Sequence, residues 1–209
     1  MNSLTFSVLF ISFLLLTLVT KLWLNSRHIR HILRHRAQVP AEFAGKISLE
    51  SHQKAADYTI AKTKLGLILL FVNAAVLLGF TLMGGLQWLS SNLFQFSGPG
   101  MAYQIGLMVA FSVVSGLIDL PFDYYNQFVL EQKFGFNKMS VRLWLGDMLK
   151  NTALGAAIGL PLLWVVLFLM EQAGQYWWLY AWVFFCAFML VMQVLVPTVI
   201  APWFNKFLP

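Results

Sequence analysis

Charge and cysteine are both scarce in this sequence. Only 11% of its 209 residues are charged and 59% are hydrophobic, against roughly 25% and about 45–50% in ordinary soluble domains. A soluble fold of this composition would expose more apolar surface than monomers tolerate, which excludes the soluble globular class. Cys186 is the only cysteine, so an intrachain disulfide is excluded as well.

The sequence contains long apolar runs instead. Five windows have about 20 apolar residues, the length of helix that crosses a ~30 Å hydrocarbon core. We therefore predict an all-α integral membrane protein with five transmembrane helices and a single transmembrane domain over residues 1–209. The first run lacks a basic segment before it and a cleavage site after it, so we expect it to be retained. The predicted helices lie at about 4–24, 65–89, 101–120, 148–170 and 177–197.

Basic residues are segregated between the loops. The loops near 90–100 and 171–176 contain no Lys or Arg, whereas the loops 25–64 and 121–147 are rich in both. The positive-inside rule then predicts an outside N-terminus, cytoplasmic loops at 25–64 and 121–147, and a cytoplasmic C-terminus. This topology and attraction to anionic headgroups account for the net charge of +6, so the expected partner is the lipid bilayer and not nucleic acid.

Three histidines form the one pattern that suggests a metal. His28, His31 and His35 lie at helical spacing, and the last two have the i, i+4 spacing of the zinc-protease motif H-E-x-x-H. The glutamate of that motif is missing, four arginines surround the cluster, and no acidic residue lies nearby to complete a site. A lipid-facing basic helix is the favoured interpretation, and metal binding is the minor one.

Residues 119–151, between the predicted third and fourth helices, are densely charged and aromatic. Charged groups near hydrocarbon are costly unless they are paired or face water. The favoured interpretation is a set of ion pairs that fixes how the two helices meet, and the alternative is the polar rim of a cavity or substrate entrance. Pro121 should end or bend the third helix. The structural or chamber-rim candidates are Asp119, Asp123, Tyr124, Glu131, Lys133, Asn137, Asp147 and Lys150.

No complete catalytic centre is evident from the residues alone. Asp119 and Asp123 are four positions apart, but Pro121 lies between them, so a shared helical face is not assured. The serines lack a partnered histidine, and the cysteine lies in apolar sequence. We therefore predict neither a catalytic nor a metal-binding residue in this chain.

Three separated motifs resemble the integral-membrane zinc metalloproteases that include the type I CAAX prenyl endopeptidases. The central match is FVLEQKFGFNK at 128–138, continued by LGDMLK at 145–150. An upstream match spans 39–65, and the downstream match is PTVIAPWFNKF at 197–207. The chain departs from the family pattern at Ser140 and Trp203. The positions that match the family signature are Phe134, Gly135, Phe136, Asn137, Pro202, Phe204, Asn205 and Lys206.

The resemblance implies a seven-helix membrane chamber with a zinc domain, of which this chain matches the first five helices. In the family the H-E-x-x-H helix lies beyond the point that corresponds to Pro209, so the zinc catalytic domain is expected to be absent here. The chain is then a scaffold that forms the chamber wall and is inactive alone. No cofactor is expected in the chain itself. The complete enzyme is implied to use zinc to cleave prenylated CAAX proteins or other membrane substrates.

Two alternatives stand beside this hypothesis. One is a non-catalytic membrane binding or quality-control module for lipidated or misfolded proteins. The other, a small transporter, fits less well because the charges lie at a membrane boundary and no paired broken helices or repeats are evident. Short loops favour a bacterial inner membrane over the endoplasmic reticulum membrane as the location.

Overall fold

The computed structural model describes residues 2–204. Within that range the chain is all helical with no β-strand, and five helices are long and apolar enough to cross a membrane. The prediction of an all-α fold with five transmembrane helices is confirmed. The orientation of the termini stays a prediction. The five helices are Ser3–His35, Leu49–Thr81, Met101–Glu131, Val141–Gln172 and Gly174–Ile200.

Two π-helical segments and a short 3-10 turn accompany the α-helices. Tyr125–Glu131 and Val196–Ile200 are π-helical and extend the helices before them, and the turn Gly174–Tyr176 precedes a helix. The α-helices are α1 (Ser3–His35), α2 (Leu49–Thr81), α3 (Gly85–Ser97), α4 (Met101–Tyr124), α5 (Val141–Gln172), α6 (Trp177–Leu195) and α7 (Ala201–Phe204).

Both α1 and α2 are longer than a bilayer requires. Each has 33 residues, which is about 50 Å of helix against a hydrocarbon core of ~30 Å. The apolar run of α1 ends at Leu24 and that of α2 begins at Leu65, so each helix carries a polar extension. Ser48 caps α2 by accepting a hydrogen bond from the Ser51 backbone N–H at 3.2 Å. Much of the predicted loop 25–64 is therefore helical.

The predicted second helix, 65–89, crosses a break in the structure. The α2 helix ends at Thr81 and α3 begins at Gly85. Gly84 adopts φ 81°, a left-handed conformation that costs little only for glycine. A Cβ at Gly85 would lie 2.8 Å from the Gly79 carbonyl oxygen. The Gly84-Gly85 pair thus turns the chain where hydropathy alone predicts a continuous helix.

The third transmembrane helix does not end at Pro121. The α4 helix continues through Pro121 to Tyr124, and the π-helical segment carries it on to Glu131. Proline removes one backbone donor and crowds the carbonyl four residues earlier, yet a following π-segment can absorb such a change in hydrogen-bond register. Pro161 likewise lies inside a continuous α5. Helix therefore occupies the first part of the predicted loop 121–147.

The chain divides into two compact units. The first contains the described residues of 1–98 and 106–141, and the second those of 99–105 and 142–209. The single transmembrane domain over 1–209 stays a prediction.

The buried side chains of the described residues all lie in the first unit. Ala56, Ile60, Leu65 and Ala74 are buried on α2, and the remaining three are Leu89, Leu130 and Phe134. Leu65, Leu130 and Phe134 form one cluster. Most other large apolar side chains are exposed on the protein, as expected for helices whose solvent is lipid.

Candidate functional site at the FGFN loop

The centre of the first unit is the contact between α2 and the segment around Phe134. Phe134 is 7% exposed and Leu130 is 4% exposed, and both pack on Leu65, the first residue of the apolar part of α2. Tyr58 lies edge-on to Phe134, with ring centroids 5.3 Å apart, a favourable geometry for aromatic pairs. The cluster therefore brings Leu65 of α2 into contact with Leu130 and Phe134, which are at least 65 positions later in the sequence. It lies where the apolar part of α2 begins.

The FGFN sequence, residues 134–137, ends the helix that begins with α4. Gly135 has φ 78°, and the backbone N–H groups of Phe136 and Asn137 donate to the Glu131 carbonyl oxygen at 2.9 and 3.3 Å. Helices commonly end this way, with a glycine in the left-handed conformation and the following N–H groups returned to the last turn. The glycine of the motif therefore sets the direction in which the chain leaves the helix.

Asn137 holds the loop beyond the glycine. Its side-chain oxygen accepts hydrogen bonds from Gln127 Nε2 at 2.8 Å and from the Met139 backbone N–H at 2.7 Å. The second bond is the local side-chain-to-backbone contact that asparagine makes in turns. Phe136 is exposed but lies edge-on to Tyr58 at 4.8 Å, with Lys54 Nζ 5.8 Å from its ring. All four FGFN residues therefore contribute to one packed turn.

Glu131 is the polar centre of the site. Its Oε1 atom accepts hydrogen bonds from the Tyr58 hydroxyl at 2.7 Å and from Lys62 Nζ at 2.9 Å. Lys62 also donates to the Asn126 side-chain oxygen at 3.1 Å. Tyr58 and Lys62 are one turn apart on α2, whereas Asn126 and Glu131 lie in the π-helical segment. These contacts fasten α2 to the π-helical segment beside the Leu65 cluster.

The contacts between Glu131, Lys62 and Tyr58 shift the pKa values of all three side chains. The three residues lie outside the apolar runs of their helices. The Lys62 ammonium, and then the Tyr58 hydroxyl, hold the pKa of Glu131 below its ordinary value. The Glu131 carboxylate raises the pKa of Lys62 and of Tyr58. Each group is thus fixed in the protonation state it has at neutral pH. An efficient general acid or base needs a pKa near the operating pH, so the network is suited to structure and poorly suited to proton transfer.

A second ion pair joins α1 to α2. Arg36 donates from Nε and Nη2 to the two carboxylate oxygens of Asp57, each at 2.7 Å. This hydrogen-bonded pairing raises the pKa of Arg36 and lowers the pKa of Asp57. The bidentate geometry fixes direction as well as distance. It connects the residue that follows α1 to the third turn of α2, in the polar part of that helix.

The other candidate residues predicted from the sequence lie outside the Glu131 network. Asp147 and Lys150 form an ion pair at 3.5 Å within α5, and their i, i+3 spacing makes them neighbours on the helix surface. Lys133 Nζ lies 5.8 Å from the Phe134 ring. Asp119, Asp123 and Tyr124 are exposed on α4. Their role, like that of the whole set of candidates, stays a prediction.

The downstream signature is described only in part. Pro202 lies exposed on α7, and Phe204 ends that helix. Asn205 and Lys206 lie outside the described residues. The interpretation of these positions therefore rests on the sequence match.

Sequence reasoning missed the partners on α1 and α2. The sequence places these partners, Arg36, Asp57, Tyr58 and Lys62, in the basic loop 25–64. In the structure Arg36 pairs with Asp57, and Tyr58 and Lys62 bind Glu131. The available signal was the spacing of Tyr58 and Lys62, which places two hydrogen-bond donors on one helical face. Nothing in one sequence indicates that Glu131 is their acceptor.

The residues of the described chain do not fit a zinc site. Residues 2–204 contain no group of three or more His, Cys, Asp or Glu side chains placed to hold a metal ion. The His31 and His35 rings are 4.3 Å apart, but His35 Nδ1 lies 2.8 Å from the His31 carbonyl oxygen and His52 Nε2 lies 3.0 Å from that of His35. Arginines surround these rings, and such a donor set opposes a cation.

The family model described as the CAAX prenyl protease N-terminal region with five membrane helices matches residues 28–206. The match includes the Arg36–Asp57 pair, the Glu131 network and the FGFN loop.

Curated relatives extend beyond the region that matches. The CAAX prenyl protease 1 homolog of Dictyostelium discoideum is 33% identical over 207 residues, covering 97% of this chain and 48% of the relative. CAAX prenyl protease 1 of Saccharomyces cerevisiae is 31% identical, covering 82% of this chain and 40% of the relative. The chain thus spans about half the length of the curated relatives it matches, or less.

A solved structure has a similar fold. The crystal structure of S. mikatae Ste24p superposes with a TM-score of 0.86 at 29% sequence identity, and the match covers 95% of this chain and 47% of that one. The helical arrangement described above is therefore similar to that of one part of a larger protein.

Proposed function

Because the chain belongs to the CAAX prenyl protease family through its N-terminal five-helix region, we propose that it is the membrane domain of a zinc metalloendopeptidase. In this proposal the chain forms part of the chamber wall and carries a catalytic domain that lies in the rest of the parent protein. The curated relatives, whose names state a CAAX prenyl protease, are about twice as long as this chain or more. The proposed substrates are prenylated CAAX peptides.

The Glu131 network is the observation that carries the scaffold role. Tyr58, Lys62 and Asn126 all bind within the chain, and the pKa of each ionisable group is moved away from the neutral range. A catalytic site would present groups to a substrate with a pKa suited to proton transfer. Here the polar groups join α2 to the π-helical segment, which supports a role in holding a framework together.

Zinc would be supplied to the reaction by the rest of the parent protein. When bound there, it would activate a water molecule and polarise the scissile carbonyl. This chain would orient the catalytic domain and separate the reaction from lipid. Because the donor set of the described residues does not fit zinc, no step of the reaction is assigned to a residue of this chain.

We propose that the protein is an integral membrane protein of the endoplasmic reticulum, because the relatives it matches are eukaryotic. The curated relatives that match include plant, amoebal, fungal and animal proteins. The sequence-based preference for a bacterial inner membrane has no support from them. In a eukaryotic host, membrane fractionation with the chain followed by antibody should recover it with the endoplasmic reticulum, and recovery with another membrane would contradict this location.

The reading frame of the parent gene tests the scaffold proposal. We expect the frame to continue past the codon for Pro209 and to encode an H-E-x-x-H sequence followed by a glutamate ligand. A stop codon directly after Pro209 would overturn the proposal. Saturable binding of a prenyl peptide without cleavage would then favour the membrane binding module.

A further inference from the structure

A basic recess lies on the polar extension of α1. Arg27, Arg30, His31 and Arg34 line a cavity of about 350 Å³. The arginines are spaced three and four residues apart, which places them on one face of the helix over two turns. All four side chains are exposed, so the recess is open to a ligand.

The position of the recess along α1 places it at the level of lipid headgroups. The apolar run ends at Leu24, so Arg27 and Arg30 lie about 5 and 9 Å further along the helix axis. The headgroup layer extends roughly 5–8 Å beyond the hydrocarbon core on each side. Trp23 lies under Arg27, with the guanidinium 5.6 Å from the ring, and tryptophan is enriched at this interface.

The arginine side chains of the recess lean toward the bilayer because of the direction in which α1 runs. Side chains on an α-helix lean toward its N-terminus. The α1 helix leaves the apolar run toward its C-terminus, so arginines beyond Leu24 lean back toward the membrane surface. Arg34, about 15 Å beyond Leu24 along the axis, is thereby brought nearer to the headgroups than its backbone position indicates.

The charge of the recess is not neutralised by the protein. Among residues 2–204 no carboxylate lies within ion-pair distance of Arg27, Arg30 or Arg34. Arg36, the residue that follows α1, is neutralised by the bidentate contact to Asp57. The structure therefore separates one arginine that holds α1 to α2 from three whose charge remains available.

We propose that this recess binds the phosphate of an anionic phospholipid. Arginine offers a planar set of donors that matches phosphate bidentately, which lysine does not. The occupant is a lipid and not free phosphate because exposed apolar side chains of the same helix, including Leu16, Val19 and Trp23, precede the recess along α1, and acyl chains can pack on them. Neither the family match nor the proposed protease role accounts for this site.

Native mass spectrometry of the full chain in detergent tests the proposal, with dioleoyl phosphatidic acid as the probe. We expect one molecule to bind at a concentration at least about tenfold lower than dioleoyl phosphatidylcholine requires, since the arginines attract a headgroup with a net negative charge. The triple variant R27Q/R30Q/R34Q should lose this preference. The matched control K46Q/K138Q/R142Q removes the same charge from exposed positions elsewhere and should retain it.

Two further arms make the test decisive. The variant R27K/R30K/R34K keeps the charge and should still bind more weakly than the native chain, because the bidentate geometry is lost. Inorganic phosphate at equal concentration should not displace the lipid. Equal loss in the glutamine triple and its control, unchanged binding in the lysine triple, or displacement by inorganic phosphate would each overturn the proposal.

Discussion

Glu131 accepts hydrogen bonds from two residues of α2 with one carboxylate oxygen, so its charge is the feature of the site most sensitive to substitution. Glu131→Gln keeps an acceptor for Tyr58 but leaves Lys62 without its ion-pair partner. We expect the apparent Tm in detergent to fall by a few degrees, corresponding to about 1 kcal/mol. A thermal scan followed by circular dichroism measures the change.

Asp123→Asn is the matched control for that substitution. Asp123 is an exposed carboxylate eight positions earlier, and no hydrogen bond or ion pair to it is described within 2–204. Its replacement should leave the Tm unchanged within about 1 °C, as for surface sites away from specific contacts. Equal destabilisation by the two variants would contradict the assignment of Glu131 as the polar centre.

Gly135 is required for its backbone conformation and not for space. A Cβ built there meets only Lys54 Nζ, at 3.8 Å, but the residue has φ 78°. Gly135→Ala should therefore cost about 1–2 kcal/mol, the penalty of a left-handed conformation for an L-residue, and lower the apparent Tm.

Gly146→Ala provides the comparison for Gly135. Gly146 lies in α5, and a Cβ there meets no atom within 4 Å. Alanine should be neutral or stabilising at this position, by up to about 1 kcal/mol, because it favours helix. If alanine is tolerated equally well at both positions, the helix end at the FGFN loop does not depend on the glycine.

At the level of elements, the Arg36–Asp57 ion pair joins the end of α1 to α2. The stability that it contributes should change with pH only under acidic conditions. The Arg36 guanidinium lowers the pKa of Asp57 from its ordinary value of 3.8. A carboxyl group whose pKa is lower in the folded than in the unfolded state stabilises the fold at pH values above the unfolded-state pKa. This stabilisation is lost as the pH falls through the folded-state pKa. The Tm difference between the native chain and Asp57→Asn should therefore be constant from about pH 5 to 8 and decline below about pH 4.

Thermal scans of both proteins across this range give the comparison. Because the other carboxylates, Glu131 included, are present in both chains, their titration cancels in the difference. A difference that disappears between about pH 5 and 7 would contradict the ion pair, since Asp57 is ionised throughout that interval.

The elements differ in how far the sequence predicts them. The five transmembrane helices follow from local apolar runs, which hydropathy detects directly. The break at Gly84 depends on a backbone angle, and the passage of helix through Pro121 depends on the π-helical segment that follows. Neither property is visible to a hydropathy window, which explains why the second and third helices differ from their predicted ends.

In the candidate site, too, the sequence predicts residues that are close together along the chain but not the contacts between residues that are far apart. The sequence identifies Glu131 and Asn137 because they lie in one charged, aromatic segment, and the family resemblance identifies the FGFN residues. Tyr58 is 73 positions from Glu131, and a single sequence contains no signal for contact over that separation. The partners on α2 therefore required the structure.

At the level of the whole molecule, the distribution of basic residues predicts a defined orientation. On a Cys186→Ser background, Gln95→Cys and Gln175→Cys lie at exposed positions of the regions free of Lys and Arg, and Gln38→Cys lies between α1 and α2. In sealed vesicles that enclose the cytoplasmic face, a membrane-impermeant maleimide should label the first two variants directly. Gln38→Cys should be labelled only after permeabilisation. The opposite pattern would reverse the topology.

The central claim is that this chain is a framework whose protease chemistry lies elsewhere in the parent protein. The most direct measurement combines zinc content with cleavage of a farnesylated CAAX peptide by the purified chain of 209 residues. We predict no stoichiometric zinc and no cleavage, because the described residues offer no suitable donor set. One zinc per chain, together with cleavage that a chelator abolishes, would contradict the claim.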